Sequence, residues 1–205
     1  MTGLRERQKA DRSRRILEAA ARLFRQNGYG AVRMEDIADA AQVSPGTCYN
    51  YFRTKGDLLL AIVSMEVEEV VAAGGTVVAG PPSDTGEALG RLIGLYFDHS
   101  LNYLSKAMWR TAMALSIEAP ETPFSQHYTD LDRRLSRQVS ALIAALQARG
   151  TARPDADAGV LGEIVFNDLN QLFIEFVKRE DMPLDALSAQ VRLRCQAFAK
   201  ILRAG

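Results

Sequence analysis

Wherever this chain is periodic, the period is that of an α-helix, and nowhere do apolar and polar residues alternate as in a strand. Ile16, Leu17, Ala20, Leu23 and Phe24 form one stripe and predict a helix over about Asp11 to Gln26. Asn27-Gly28 ends it, because glycine takes the left-handed conformation just past a helix end. Met34, Ile37, Ala38 and Ala41 repeat the stripe in a short second helix, with Glu35 and Asp36 in its first turn. Ser44 is a good N-cap and Pro45 suits the first helical position, so a third helix opens there and ends near Arg53. Thr54 and Asp57 carry capping-box spacing and open a fourth, through Leu58, Leu59, Ile62 and Val63 to about Val71. Three short helices with tight turns, followed at once by a longer one, have helix-turn-helix geometry. Beyond Ala72 the chain is expected to break at Gly74-Gly75 and again at Gly80-Pro81-Pro82-Ser83. Long helices are expected over Thr85 to Tyr103, Lys106 to Glu118, Phe124 to Arg149, Asp155 to Glu180, and from Pro183 to about Arg203. The expected fold class is all-α.

Charge divides the chain unevenly. The formal net charge is zero, yet the residues up to Lys55 hold eleven Lys/Arg against six Asp/Glu, while the remainder holds fourteen against nineteen. A basic head on an acidic body fits a polyanion-binding module joined to a part with another task. The two cysteines, Cys48 and Cys195, lack any partner spacing and fit a reducing compartment. No stretch reaches the roughly 18 apolar residues of a membrane span. The N-terminus, with Arg5, Arg7, Lys9, Arg12, Arg14 and Arg15, is too polar for a secretory signal. A soluble, cytoplasmic protein with no membrane partner is the expectation.

The third helix carries the chemistry. Cys48 and Phe52 lie four apart and should face inward, toward Leu23, Phe24 and Ile37, leaving Gly46, Thr47, Tyr49, Asn50 and Tyr51 outward. A recognition helix meets the major groove with its N-terminal residues nearest the bases. There Gly46 permits close backbone approach, the Thr47 methyl suits a thymine methyl, and Asn50 can read a base edge. The Tyr49 and Tyr51 hydroxyls and Lys55 suit phosphate oxygens, with Arg33 meeting the backbone on the other side. The run Arg5 to Arg15 is expected to neutralise further phosphates or to follow the minor groove. The bland alternative is a small helical subdomain with surface tyrosines.

Over Ile16 through Ile62 the chain resembles the DNA-binding region of the TetR family of transcriptional regulators. The resemblance runs through Ile16-Leu17-Glu18-Ala19-Ala20, Leu23-Phe24, Asn27-Gly28-Tyr29, Met34-Glu35-Asp36-Ile37-Ala38, Ala41, Val43-Ser44, Gly46-Thr47, Tyr49, Tyr51-Phe52, Lys55 and Leu58. It implies that Thr47, Tyr49, Tyr51 and Lys55 contact operator DNA, with Ser44, Pro45, Gly46 and Asn50 at positions of variable base or backbone contact. Three residues depart from the family pattern: Arg33 where Ser or Thr is frequent, Gln42 where Gly is common, and Cys48 where Leu is common. The implied organisation is a helix-turn-helix DNA-binding domain over residues 1–55 and a helical bundle over 56–205 that binds an effector and dimerises.

In that second part the resemblance is one of architecture. Over Asp155 to Glu180 the apolar residues exceed one stripe, Phe166 and Ile174 adding a second face, and the final helix has Leu193, Ala197 and Ile201 to spare. A helix apolar on more than one side needs more than one neighbour, so a homodimer through the last two helices is expected, against the alternative of a deeply buried monomer helix. Candidate pocket residues for a small-molecule effector are Tyr96, Phe97, His99, Trp109, Met113, Asn167, Asp168, Asn170 and Phe173. Asp168, a carboxylate among apolar neighbours, must be solvated, paired or neutralised: it binds a cationic ligand, or pairs with Arg110 or another Arg. No catalytic, metal or cofactor motif is legible, and Gly28-Tyr29-Gly30 lacks the strand and third glycine of a nucleotide loop. The expectation is a one-component regulator, most often a repressor by resemblance. The alternative is a nucleoid or cell-division DNA-binding protein of the same fold without an effector.

Overall fold

The computed structural model describes residues 2–203, without the side chains of Thr2, Leu4 and Arg5. Among the described residues the chain forms nine helices: α1 (Thr2–Asn27), α2 (Met34–Ala40), α3 (Pro45–Tyr51), α4 (Lys55–Ala79), α5 (Thr85–His99), α6 (Lys106–Glu118), α7 (Pro123–Ala148), α8 (Ala158–Lys178) and α9 (Leu184–Leu202). The fold is all-α, and the extended pairing described is one isolated bridge between Ala152 and Arg203. No helix among the described residues is long and apolar enough to cross a membrane. The helices group into two compact units. One holds the residues up to Met65 with Asn102–Tyr128, and the other holds Glu66–Leu101 with the residues from Thr129 onward.

The first unit is built on the stripes. Ile16, Ala20, Phe24, Ile37, Ala38, Cys48, Leu58, Leu59 and Ile62 are buried, each large apolar side chain contributing about 1.5–3 kcal/mol. Gly28, at φ +80°, closes α1, its N–H donating to the Phe24 carbonyl at 3.0 Å. The Thr54–Asp57 box is present in full. Asp57 N–H donates to Thr54 Oγ1, and Asp57 Oδ2 accepts from the Thr54 and Arg53 N–H groups, each at 3.0 Å. Helix α6, which the sequence places in the C-terminal part, clusters with this unit.

Two expectations need correction here. α1 starts near Thr2 rather than Asp11, so the basic run is helical from its first residues. Arg5 itself lies outside the described side chains. The chain also does not break at Gly74-Gly75, since α4 continues to Ala79. A Cβ at Gly74 would strike the end of the Gln138 side chain and stand 2.7 Å from Leu92 Cδ1. Glycine is there for close helix approach, not for a turn.

The second unit packs by close contact. α5 lies against α9, with a Gly86 Cβ position 3.3 Å from Ala199 Cβ. α8 meets α7 backbone to backbone: a Cβ on Gly162 would stand 2.5 Å from Ser140 Cα and 2.6 Å from its N. Phe97 and Phe173 stack at 5.3 Å, and Phe176 tilts against Phe173 at 6.0 Å. Tyr96 is buried, and its hydroxyl donates to Gln138 Oε1 at 2.7 Å, while Gln138 Nε2 donates to the Val71 carbonyl at 2.7 Å. α5 ends at His99, four residues before the expected Tyr103, because Ser100 turns out of the helix and bonds back to the Phe97 carbonyl.

The spare apolar face on α8 is not the expected one. Phe166 is buried within the unit, and Val160 and Ile164, one turn apart, are the bare residues, each more than half exposed. On α9 the expected spare residues are bare: Leu193 and Ile201 are both 61% exposed and Ala197 between them is exposed.

Candidate nucleic-acid interface

The α2–α3 corner presents the helix expected to meet DNA. α2 ends in a Schellman arrangement, with Gln42 N–H donating to the Asp39 carbonyl and Val43 N–H to the Ala38 carbonyl, both at 3.0 Å. Gln42 holds φ +55°, the left-handed slot where the resemblance expects glycine. Ser44 then caps α3. Its Oγ accepts from Thr47 N–H at 3.1 Å and shares a 2.8 Å hydrogen bond with Thr47 Oγ1. Cys48 is fully buried, burial pushing its thiol up with the Glu35 carboxylate adding to the effect. It is a packing residue, not a reactive one.

Pro45, Gly46, Tyr49 and Asn50 fall at i, i+1, i+4 and i+5 and form one exposed face, with Ser44 exposed at its start. Nothing in the chain lies within 4 Å of a Cβ at Gly46, so internal packing does not require glycine there. The Asn50 side chain makes no hydrogen bond among the described residues, leaving its carboxamide free to donate and accept. Thr47 and Tyr51 are half-buried at the edges of this face. Tyr49 OH donates to Glu35 Oε1 at 3.2 Å, and Glu35 Oε2 lies 3.4 Å from Arg33 Nε. All three side chains stand in solvent.

Lys55, expected to meet a phosphate, also has partners within the chain. It is the first residue of α4, and its Nζ donates to the carbonyls of Tyr29 at 2.8 Å and Gly30 at 3.1 Å, lying 4.9 Å from the centre of the Tyr29 ring. Two of its three donors therefore fasten the loop between α1 and α2. Along α1, Arg7, Lys9, Arg12 and Arg14 are exposed, and Asp11 draws on Arg14 and Arg15 at 3.1 and 3.5 Å.

The nine effector candidates divide between the two units. Trp109 and Met113 lie in the first unit and the others in the second. Asn167 faces solvent on α8, Asn170 is half-buried, and Tyr96, Phe97 and Phe173 are engaged in the contacts above. Asp168 Oδ1 accepts from Arg194 Nη1, which resolves its partner as an arginine, but its Oδ2 is buried without one. An open groove of about 420 Å3 between α5 and α9 includes only Phe97 of the nine, beside Gly86, Gly90, Gly94, Ser188 and Val191. No group of three His, Cys, Asp or Glu among the described residues could hold a metal ion.

Glu66 was missed by sequence reasoning. It is 2% exposed, and its Oε1 lies 2.8 Å from His99 Nδ1 while Oε2 is buried without a partner. His99 Nε2 lies 3.2 Å from Glu69 Oε2. The signal was available: Glu66 continues the stripe Leu59, Ile62, Val63 and Val70, a carboxylate at an apolar position. Burial pushes its carboxyl up to about 7, opposed by His99 and aided by Glu69. A raised carboxyl favours the folded state while protonated, so this contribution is complete below about pH 4.5 and is lost as pH rises through about 7. Glu66→Gln removes the ionisation. Its unfolding free energy should gain on that of the wild type between those limits, by on the order of a few kcal/mol. Parallel pH profiles for the two proteins would show that Glu66 is not ionising in that window.

The sequence profile described as bacterial regulatory proteins of the tetR family matches residues 16–62, the span containing this interface. The chain is 28% identical over 145 residues to the HTH-type transcriptional regulator EthR of Mycolicibacterium smegmatis, covering 71% of this chain and 64% of that protein's length, just under two thirds. Among solved structures, a chain assigned to the TetR-family regulators from Mesorhizobium loti superposes with a TM-score of 0.74 at 20% identity, covering 95% of this chain and 98% of that one. FadR of Thermus thermophilus, a TetR-family transcriptional repressor solved with lauroyl-CoA, gives a TM-score of 0.65 at 20% identity, over 91% and 92% of the two chains. At these identities the superpositions establish likeness of fold.

Proposed function

This chain belongs to the TetR family of bacterial regulatory proteins, and from that premise we propose that it is a one-component transcriptional repressor that binds operator DNA as a homodimer and is controlled by a small-molecule effector. Residues 1–55 are its DNA-binding part, and residues 56–205 carry the effector site and the dimer surface. The observation that most supports this is the bare face of α3, where Pro45, Gly46, Tyr49 and Asn50 stand exposed together and no part of the described chain covers them. Ser44, Thr47, Tyr51, Lys55 and Arg33 flank it and supply the remaining contacts.

In this reading the bare residues Val160 and Ile164 of α8 and Leu193, Ala197 and Ile201 of α9 meet their symmetry mates. A two-fold dimer sets its reading helices one DNA turn, roughly 34–36 Å, or a multiple apart on a near-palindromic site. The effector prefers the conformation that does not fit DNA, and a coupling of about 1–3 kcal/mol changes operator affinity about 5–150-fold. FadR, with lauroyl-CoA bound, supports the choice of a small organic molecule as effector.

Selection of duplexes from a random library by the wild type and by Asn50→Ala tests the reading. The wild type should enrich a near-palindrome. Asn50→Ala should lose preference at defined base pairs, at a cost of about 1–3 kcal/mol on the wild-type site. A wild-type chain that retains no duplex above background would overturn the proposal.

A further inference from the structure

A carboxylate stands on the surface assigned to a polyanion. Glu35 is the second residue of α2, and its two oxygens reach different groups: Oε1 accepts from the Tyr49 hydroxyl at 3.2 Å, and Oε2 pairs with Arg33 Nε at 3.4 Å. Both partners belong to the proposed phosphate-binding set. The arrangement is not required to start α2, because Asp36 already accepts the Arg33 N–H, at 2.8 Å. Nor does it hold the fold together, since the Arg33 side chain is 75% exposed and that of Glu35 43%.

We infer that Glu35 restrains DNA affinity by competing with phosphate: it holds the Arg33 guanidinium and the Tyr49 hydroxyl when DNA is absent, and a phosphate must displace it to use either group. The inference rests on the regulator reading above. Three effects act in the same direction. The ties to Arg33 and Tyr49 must break, one cationic charge is already neutralised within the protein, and the carboxylate repels the approaching backbone. In a loosely seated complex on arbitrary sequence, Arg33 stays with Glu35 and contributes no counterion release. In a tightly seated complex the surrounding base and phosphate contacts carry the exchange through.

Glu35→Gln is the test, because it keeps the shape and an acceptor for Tyr49 while removing the charge. Binding is measured by fluorescence anisotropy over a salt series on two probes, a mixed-sequence duplex and the duplex selected by the wild-type chain. Glu35→Gln should bind the mixed-sequence duplex about two- to fivefold more tightly at low salt, as expected for release of one exposed ion pair. The slope of log affinity against log salt on that probe should steepen by about 0.9, the signature of one additional phosphate contact. Adding Arg33→Gln to Glu35→Gln should abolish the steepening, assigning it to the freed guanidinium. The melting temperature reports the intact fold, and any loss of helix-terminal charge stabilisation works against the predicted gain. Unchanged affinity and slope in Glu35→Gln, or a steepening that survives in the double variant, overturns the inference while leaving the regulator reading in place. A wild-type chain that binds neither probe overturns both.

Discussion

Lys55→Ala is expected to bind every duplex about tenfold more weakly than the wild type, with a salt slope shallower by about 0.9, and also to melt earlier. The two losses come from one ammonium. Two of its donors hold the Tyr29 and Gly30 carbonyls, fixing the loop that joins α1 to α2, and the third is free for a phosphate. Hydrogen bonds to a charged group contribute about 1.5–3 kcal/mol each before rehydration of the freed carbonyls offsets part of it. Gly30 is exposed and rehydrates easily, while Tyr29 is half-buried and does not. A fall of about 3–8 °C in melting temperature is therefore expected for a chain of this size. Lys55→Met retains the aliphatic stem over the Tyr29 ring and separates packing from charge. If Lys55→Ala melts early but its salt slope equals that of the wild type, the residue is a loop fastener alone and leaves the list of phosphate contacts.

Gly162→Ala should destabilise the second unit by about 1–3 kcal/mol or more, although alanine is ordinarily the better helix former. The added methyl would stand 2.5 and 2.6 Å from the Cα and N of Ser140. Those are backbone atoms and cannot rotate away, so relief requires α7 and α8 to separate. Separation also strains the hydrogen bond from Ser140 Oγ to the Gly159 carbonyl, 3.3 Å long. Gly90→Ala is the internal comparison. Nothing lies within 4 Å of its added methyl in α5, so that variant should gain up to about 1 kcal/mol. Thermal unfolding followed by circular dichroism checks both, and a Gly162→Ala protein that melts with the wild type would show that α7 and α8 are not locked at this crossing.

The head was readable because its signals are local. Stripe, Ser44-Pro45 and the Thr54–Asp57 box each act within four residues, and each is present where the sequence places it. The errors arose where a distant residue decides the outcome. Gly74 looks like a helix end until Leu92 and Gln138 are brought beside it. The Tyr29 and Gly30 carbonyls that fold back onto Lys55 are likewise invisible in the local pattern that marks it as a phosphate contact. Phe166 and Val160 both lie on an apolar helix, and only packing determines that the phenylalanine is buried and the valine bare. The effector candidates were the least specified by the sequence, since an aromatic beside a polar residue marks a core as readily as a pocket. Tyr96 satisfies its hydroxyl on Gln138, and Asp168 finds Arg194.

Gln42 sets two opposing demands on one peptide. Its left-handed backbone costs about 1 kcal/mol that glycine would not incur, while the bonds at Gln42 and Val43 that turn the chain from α2 into α3 require that same geometry. The bearing of α3 is thus indexed to a single dihedral held against its own preference. Glycine at this position would keep the corner's geometry without that cost, so the turn that aims α3 is carried here by a residue whose backbone does not favour it.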